Sequence, residues 1–171
     1  MQTTKTKLAN TCLQQLKPNI QSVIYNTQVN VVGNHLSGLL LVKKMGNDTT
    51  RILFTSETGI KFFDFQLTNS DFKVMFCIKK LNKKVVTTQL QKVFRLILMN
   101  YGNIHNYVPL ATDSLKTFRL VNGKEFVTYT AFNDCSQLKH IETSSNKNKP
   151  KISINLDGTK NGIADVIFIQ Y

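Results

Sequence analysis

A chain of 171 residues, 42% hydrophobic and 19% charged, is long enough for one domain with a sizeable core, whereas two domains would each be small. Its 22 Lys and Arg against 10 Asp and Glu give a net charge of +12, yet Lys outnumbers Arg nineteen to three, which argues against an arginine-rich nucleic-acid groove. The longest apolar runs, such as Leu39 to Val42, are far too short for a transmembrane helix or a signal-peptide core.

The charge reads first as solubility, second as attraction to an anionic membrane surface, and last as nucleic-acid binding. Residues 1–18 read as a leading helix or tail. Leu8, Cys12, Leu13 and Leu16 recur at helical spacing there, and Pro18 ends the run. Strand signals follow. Ile20 to Val32 is rich in β-branched residues; Leu36 to Met45, Thr50 to Ser56 and Ile60 to Leu67 come next, set off by turns at Gly33-Asn34, Gly46-Asn47-Asp48 and Thr58-Gly59. Phe72 to Ile78 is a fifth strand, with Phe72, Val74, Phe76 and Ile78 on one face. The turn spacing is that of an antiparallel meander.

Lys83 to Asn100 is the one long segment with helical periodicity. Val86, Leu90, Val93, Phe94, Ile97 and Tyr101 share a stripe about 100° wide, with Lys84, Thr88, Gln91, Lys92 and Arg95 opposite. Leu96, Leu98 and Met99 add apolar surface around the last turn, so that end is expected to be enclosed on more than one side. Tyr101 to Asp113, holding Gly102 and Pro109, reads as a loop or a lid over one edge. Strands then resume at Leu115 to Val121, Glu125 to Phe132 across an Asn-Gly turn, Gln137 to Thr143, Lys151 to Leu156 and Ile163 to Ile169.

Several strands are apolar on both faces, as where Phe63, Phe65 and Leu67 share one face and Phe62 takes the other. A sheet with a single dry face would alternate cleanly. The fold expected is therefore mainly β (α+β): an antiparallel, unclosed β-barrel of about ten strands wrapped around a central amphipathic helix, in one domain spanning 1–171. Periodicity leaves open whether the interior is filled or hollow.

Residues able to carry chemistry are dispersed. Cys12, Cys77 and Cys135 have no short spacing, so neither a disulfide framework nor a zinc site can be read from them, and Cys77 reads as a small buried hydrophobe. His35, His105 and His140 lie in different elements and read as hydrogen-bonded surface groups. Asp64 and Asp165 sit in apolar strands and read as outward-facing. There is no glycine-rich phosphate loop and no Gly-x-Ser-x-Gly elbow. The expectation is a binding protein and not an enzyme, with no metal and no cofactor.

The order of elements carries a resemblance. A strand opening on Ser-Gly in SGLLLVKK is followed by the hairpin TRILFTSETGIKFFDF with the turn Ser56-Glu57-Thr58-Gly59, a basic strand, a single amphipathic helix, and closing strands KISINL and DVIFIQY. This resembles the LolA and LolB group of lipoprotein carriers and is closest to LolB, the outer-membrane lipoprotein receptor. The resemblance covers most of the chain as architecture and rests on two short hairpins. It implies a half-barrel with a helical lid that takes lipoprotein acyl chains, in the bacterial periplasm, attached to the outer membrane through an N-terminal lipid anchor. The chain departs at two points. Met1 has no anchoring Cys beside it and Asn10-Thr11-Cys12 follows no apolar run, so the anchor is expected to have been removed or never to have existed, and a cytosolic location stays open. Thr58 stands where the receptor exposes a Leu for membrane insertion.

On this reading Leu40, Val42, Ile52, Phe54, Phe63, Phe65, Val74 and Phe76 of the meander and Leu90, Val93, Phe94 and Ile97 of the helix line the cavity. Ordinary core is the competing reading of each, because apolar walls are all an acyl pocket needs. Thr58, Lys79, Lys80, Lys83 and Lys84 are expected at a membrane or partner contact. The expected partners are an acylated lipoprotein or lipid and an anionic membrane surface, with the chain a monomer. The alternative is a non-catalytic structural or assembly module of an envelope complex with a filled barrel.

Overall fold

The computed structural model describes residues 11–31, 33–101, 108–111, 114–145, 150–157 and 163–169. Residues 11–16 form helix α1. After it come β1 (Ser22–Val31), β2 (Asn34–Lys44), β3 (Thr50–Thr55), β4 (Lys61–Leu67), β5 (Phe72–Cys77), α2 (Lys84–Ile97), β6 (Val108–Ala111), β7 (Leu115–Asn122), β8 (Glu125–Phe132), β9 (Leu138–Ser145), β10 (Pro150–Asp157) and β11 (Ile163–Ile169). The strands form one sheet of order β5-β4-β3-β2-β1-β11-β10-β9-β8-β7-β6. It consists of two antiparallel runs, each a meander, joined where β1 and β11 pair in parallel through Val29↔Ile167 to Val31↔Ile169.

The mainly β class with one amphipathic helix is what the patterning predicts, and the sheet is not a closed barrel. β5 and β6 stand at opposite edges and do not pair with each other among the described residues. Among the described residues the strand count is eleven because β6 lies inside the stretch expected to be loop or lid, where Val108 to Ala111 pairs with Lys116 to Arg119. Pro109 obscures it. A proline lacks the ladder N–H and is tolerated on an edge strand, where one side of the backbone has no partner.

Helix α2 turns Val86, Leu90, Val93, Phe94 and Leu96 inward. It stops in a Schellman arrangement, the Met99 N–H donating to the Leu96 carbonyl and the Asn100 N–H to the Arg95 carbonyl, with Met99 in the left-handed region at φ 52°. On one side the Phe94 ring meets Phe63 and Phe65 of β4 edge-on, at 5.8 and 6.3 Å. On the other, the Tyr129 hydroxyl of β8 donates to the Leu96 carbonyl at 3.0 Å, and Lys92 pairs with Glu125. β4 and β8 are seven strand steps apart in the sheet. Laid flat, seven steps would span about 34 Å, against a helix about 10 Å across. The sheet must therefore bend for both strands to reach the same helix.

Candidate functional site

Between α2 and the central strands lies a cavity of about 420 Å³. Register explains its wall. Leu40 and Val42 alternate on β2 and pair with Phe54 and Ile52 of β3 on one side and with Tyr25 and Val23 of β1 on the other, so these side chains share the inner face. Leu40, Val42, Ile52 and Tyr25 line the cavity from the sheet, and Phe94, Ile97 and Leu98 line it from the helix. Leu138 and Leu156 contribute from β9 and β10. The remaining wall is residues 15–20, the end of α1 and the segment after it, which face Ser136 and Gln137 of the β8–β9 turn.

The two sides of that rim are covalently tied. Cys12 of α1 and Cys135 of the β8–β9 turn form a disulfide across 123 residues of sequence. Cys12 is buried, and Cys135 adopts φ 59°, with Lys116 Nζ 3.6 Å from its sulfur. Cys12 is thus a cross-link. Cys77 is free and half-buried, packed against the core as a small hydrophobe, and burial pushes its thiol up from the usual range.

The twelve residues expected to line a cavity divide three ways. Leu40, Val42, Ile52, Phe94 and Ile97 do line it. Phe54, Phe63, Phe65, Leu90 and Val93 are fully buried instead in a filled half of the interior, where Phe63 stacks on Phe65 at 4.5 Å and Phe54 lies 5.3 Å from Phe63. Val74 and Phe76 are a correction: both lie on the surface, 41% and 43% exposed, with Met75 between them at 54%. The cause is a break in register between Asp64 and Phe65, which sets Val74 opposite Phe65 but Phe76 opposite Asp64. Cross-strand partners share a face, so the bulge turns Phe76 to the outer side of the sheet. As an edge strand, β5 has nothing beyond it to cover Val74 among the described residues.

Asp64 does face outward, as read, but it is buried, only 2% exposed. Arg51 donates to it through two nitrogens at 2.9 and 2.8 Å, and Lys61 through one at 3.3 Å. The Arg51 hydrogen bond, followed by that of Lys61, holds the Asp64 carboxyl below the usual carboxylate range against the opposing effect of burial. Phe76 packs over Lys61, ring to ammonium at 5.5 Å. His35 and His140 hydrogen-bond Asn30 and Asn155, each at 2.6 Å. His105 lies outside the described residues, as does the side chain of Asp165.

Thr58, Lys79, Lys80, Lys83 and Lys84 are all exposed. The four lysines follow β5 in sequence, after Ile78. Thr58 sits in the β3–β4 turn, its hydroxyl 2.9 Å from that of Ser56. Sequence reasoning missed Leu16, Ile20, Tyr25, Leu138 and Leu156 as cavity residues. Leu16 was legible only as an apolar position in α1, and the others as strand residues whose facing partner is set by the fold. No helix among the described residues is long and apolar enough to cross a membrane. The chain matches no protein-family model, no curated protein and no solved structure.

Proposed function

We propose that the protein binds the acyl chains of a lipid or lipoprotein, without catalysis, as a carrier or receptor of the bacterial cell envelope. The observation that carries this reading is the apolar cavity between α2 and the β1–β3 face. Each methylene transferred into such a space contributes about 0.8 kcal/mol, so a single chain offsets the cost of its own immobilisation. In this reading the bent sheet and α2 make an unclosed half-barrel of the LolA and LolB kind, and the Cys12–Cys135 disulfide suits an oxidising compartment such as the periplasm. The exposed residues of β5, followed in sequence by Lys79, Lys80, Lys83 and Lys84, would meet an anionic bilayer during delivery.

The test is native mass spectrometry of gently purified protein, followed by organic extraction, on the natural chain and on Ile97→Trp. Ile97 is half-buried and points into the space, so the larger ring fills it without disturbing the phenylalanine cluster. A stoichiometric acyl lipid or lipopeptide on the natural chain, absent from a folded Ile97→Trp, is the expected result. A clean apo mass that stays unchanged after incubation with palmitic acid and with a triacylated peptide overturns the reading. The structural or assembly module would then be the better account, favoured by the half of the interior that phenylalanines already fill.

A further inference from the structure

The apolar cavity does not end at its rim. Lys17, Pro18, Asn19, Ile20 and Leu98 also line a second cavity of about 240 Å³, so the two spaces adjoin along one segment. The second has another chemistry. Lys44 closes it from the end of β2, Asp48 from the β2–β3 turn, and Asn19, Asn47, Asn69 and Asn100 add amides. Two lysines and one aspartate line it, and each amide supplies both donors and an acceptor. In the apolar cavity Lys17 is the one charged residue among the described lining residues. A hydrophobic chamber opening beside a polar recess of net positive charge is complementary to a molecule with a tail and an anionic head.

Volume limits the tail. At about 30 Å³ for a group the size of a water or a methylene, the 420 Å³ chamber holds roughly fourteen such groups, the size of one long acyl chain. We propose that the two cavities form one composite site for a single-chain anionic amphiphile. Its tail lies along Leu40, Val42 and Ile97, and its carboxylate or phosphate lies at Lys17 and Lys44. This rests on the acyl-binding reading and adds to it the number of chains and the charge of the head.

The experiment is calorimetric titration of the delipidated full chain with palmitic acid, palmitoyl lysophosphatidic acid and monopalmitoylglycerol, repeated on the Lys17→Gln, Lys44→Gln double variant. Both lysines are exposed, so the variant keeps the fold. At least one anion should bind about tenfold tighter than the uncharged glycerol ester, and the double variant should erase that difference. Preference for palmitic acid identifies a free carboxylate as the head, and preference for the lysophospholipid identifies a phosphate. Equal binding of all three, or anion binding indifferent to the double variant, overturns the head site and leaves the acyl chamber standing. Binding of none removes the chamber as well. Tighter binding of two-chained dipalmitoyl phosphatidic acid than of its lyso form overturns the one-chain limit.

Discussion

Gly38 shows how a single residue can be set by its neighbour's backbone. A Cβ at this position would stand 1.9 Å from the Thr55 carbonyl oxygen, which belongs to the adjoining strand and cannot rotate away. Gly38→Ala should therefore destabilise by about 1–3 kcal/mol, read as a lowered unfolding midpoint in urea; an unchanged midpoint would mean that β2 and β3 separate freely here. Asp64 makes a second residue-scale case. Its carboxyl is held below the usual range, so the stability it contributes is present above its unfolded value, about 3.9, and is lost as pH falls through the lower folded value. Asp64→Asn should cost about 1–2 kcal/mol at neutral pH, toward the low end of such changes because Arg51 and Lys61 are both partly exposed and rehydrate. As pH falls from about 3.9 through the lower folded value, the variant and the natural chain should converge, a pattern thermal melts across pH would detect.

At the scale of elements, β5 behaves unlike the strand its alternation suggests. Phe72 packs on Phe65 at 4.9 Å and anchors one end, but the bulge beyond it leaves Val74, Met75 and Phe76 in solvent along an edge with only β4 beside it among the described residues. An apolar edge of this kind templates further strand pairing. Met75→Lys should raise the concentration at which light scattering first appears on warming, with no fall in the unfolding midpoint. An unchanged onset would mean that another surface governs association. The helix is the opposite case, since its inward stripe Val86, Leu90, Val93, Phe94 was readable from period alone. Arg95, on the side expected to be solvated, instead donates to the Thr68 and Asn69 carbonyls at 3.1 Å each and pins the β4–β5 turn.

For the whole molecule, the chief constraint is the link between its two halves. The Cys12–Cys135 bond spans 123 residues and ties α1, ahead of the first meander, to a turn of the second. Removing a constraint on so long a loop costs about 2–4 kcal/mol, chiefly by freeing the unfolded chain. Cys12→Ser with Cys135→Ser should lower the melting temperature by several degrees and loosen the rim of the cavity, which a fluorescent fatty acid would register as faster release. Equal melting of the reduced and oxidised chains would mean that packing alone holds α1 in place.

Ten of the eleven strands and α2 were legible because alternation and the 3.6-residue period are local properties that survive whatever the chain later packs against. The same locality explains what was hidden. Periodicity marks a side as apolar without naming what meets it, so Leu40 beside the cavity and Phe63 in the filled half carry the same signature. The Cys12–Cys135 pairing, the parallel contact of β1 with β11 and the outward turn of Phe76 depend on residues brought together from distant parts of the chain or on one bulge. Local pattern determined which residues avoid water; only the tertiary packing of the sheet, α1 and α2 decided which of them meet each other and which enclose a space.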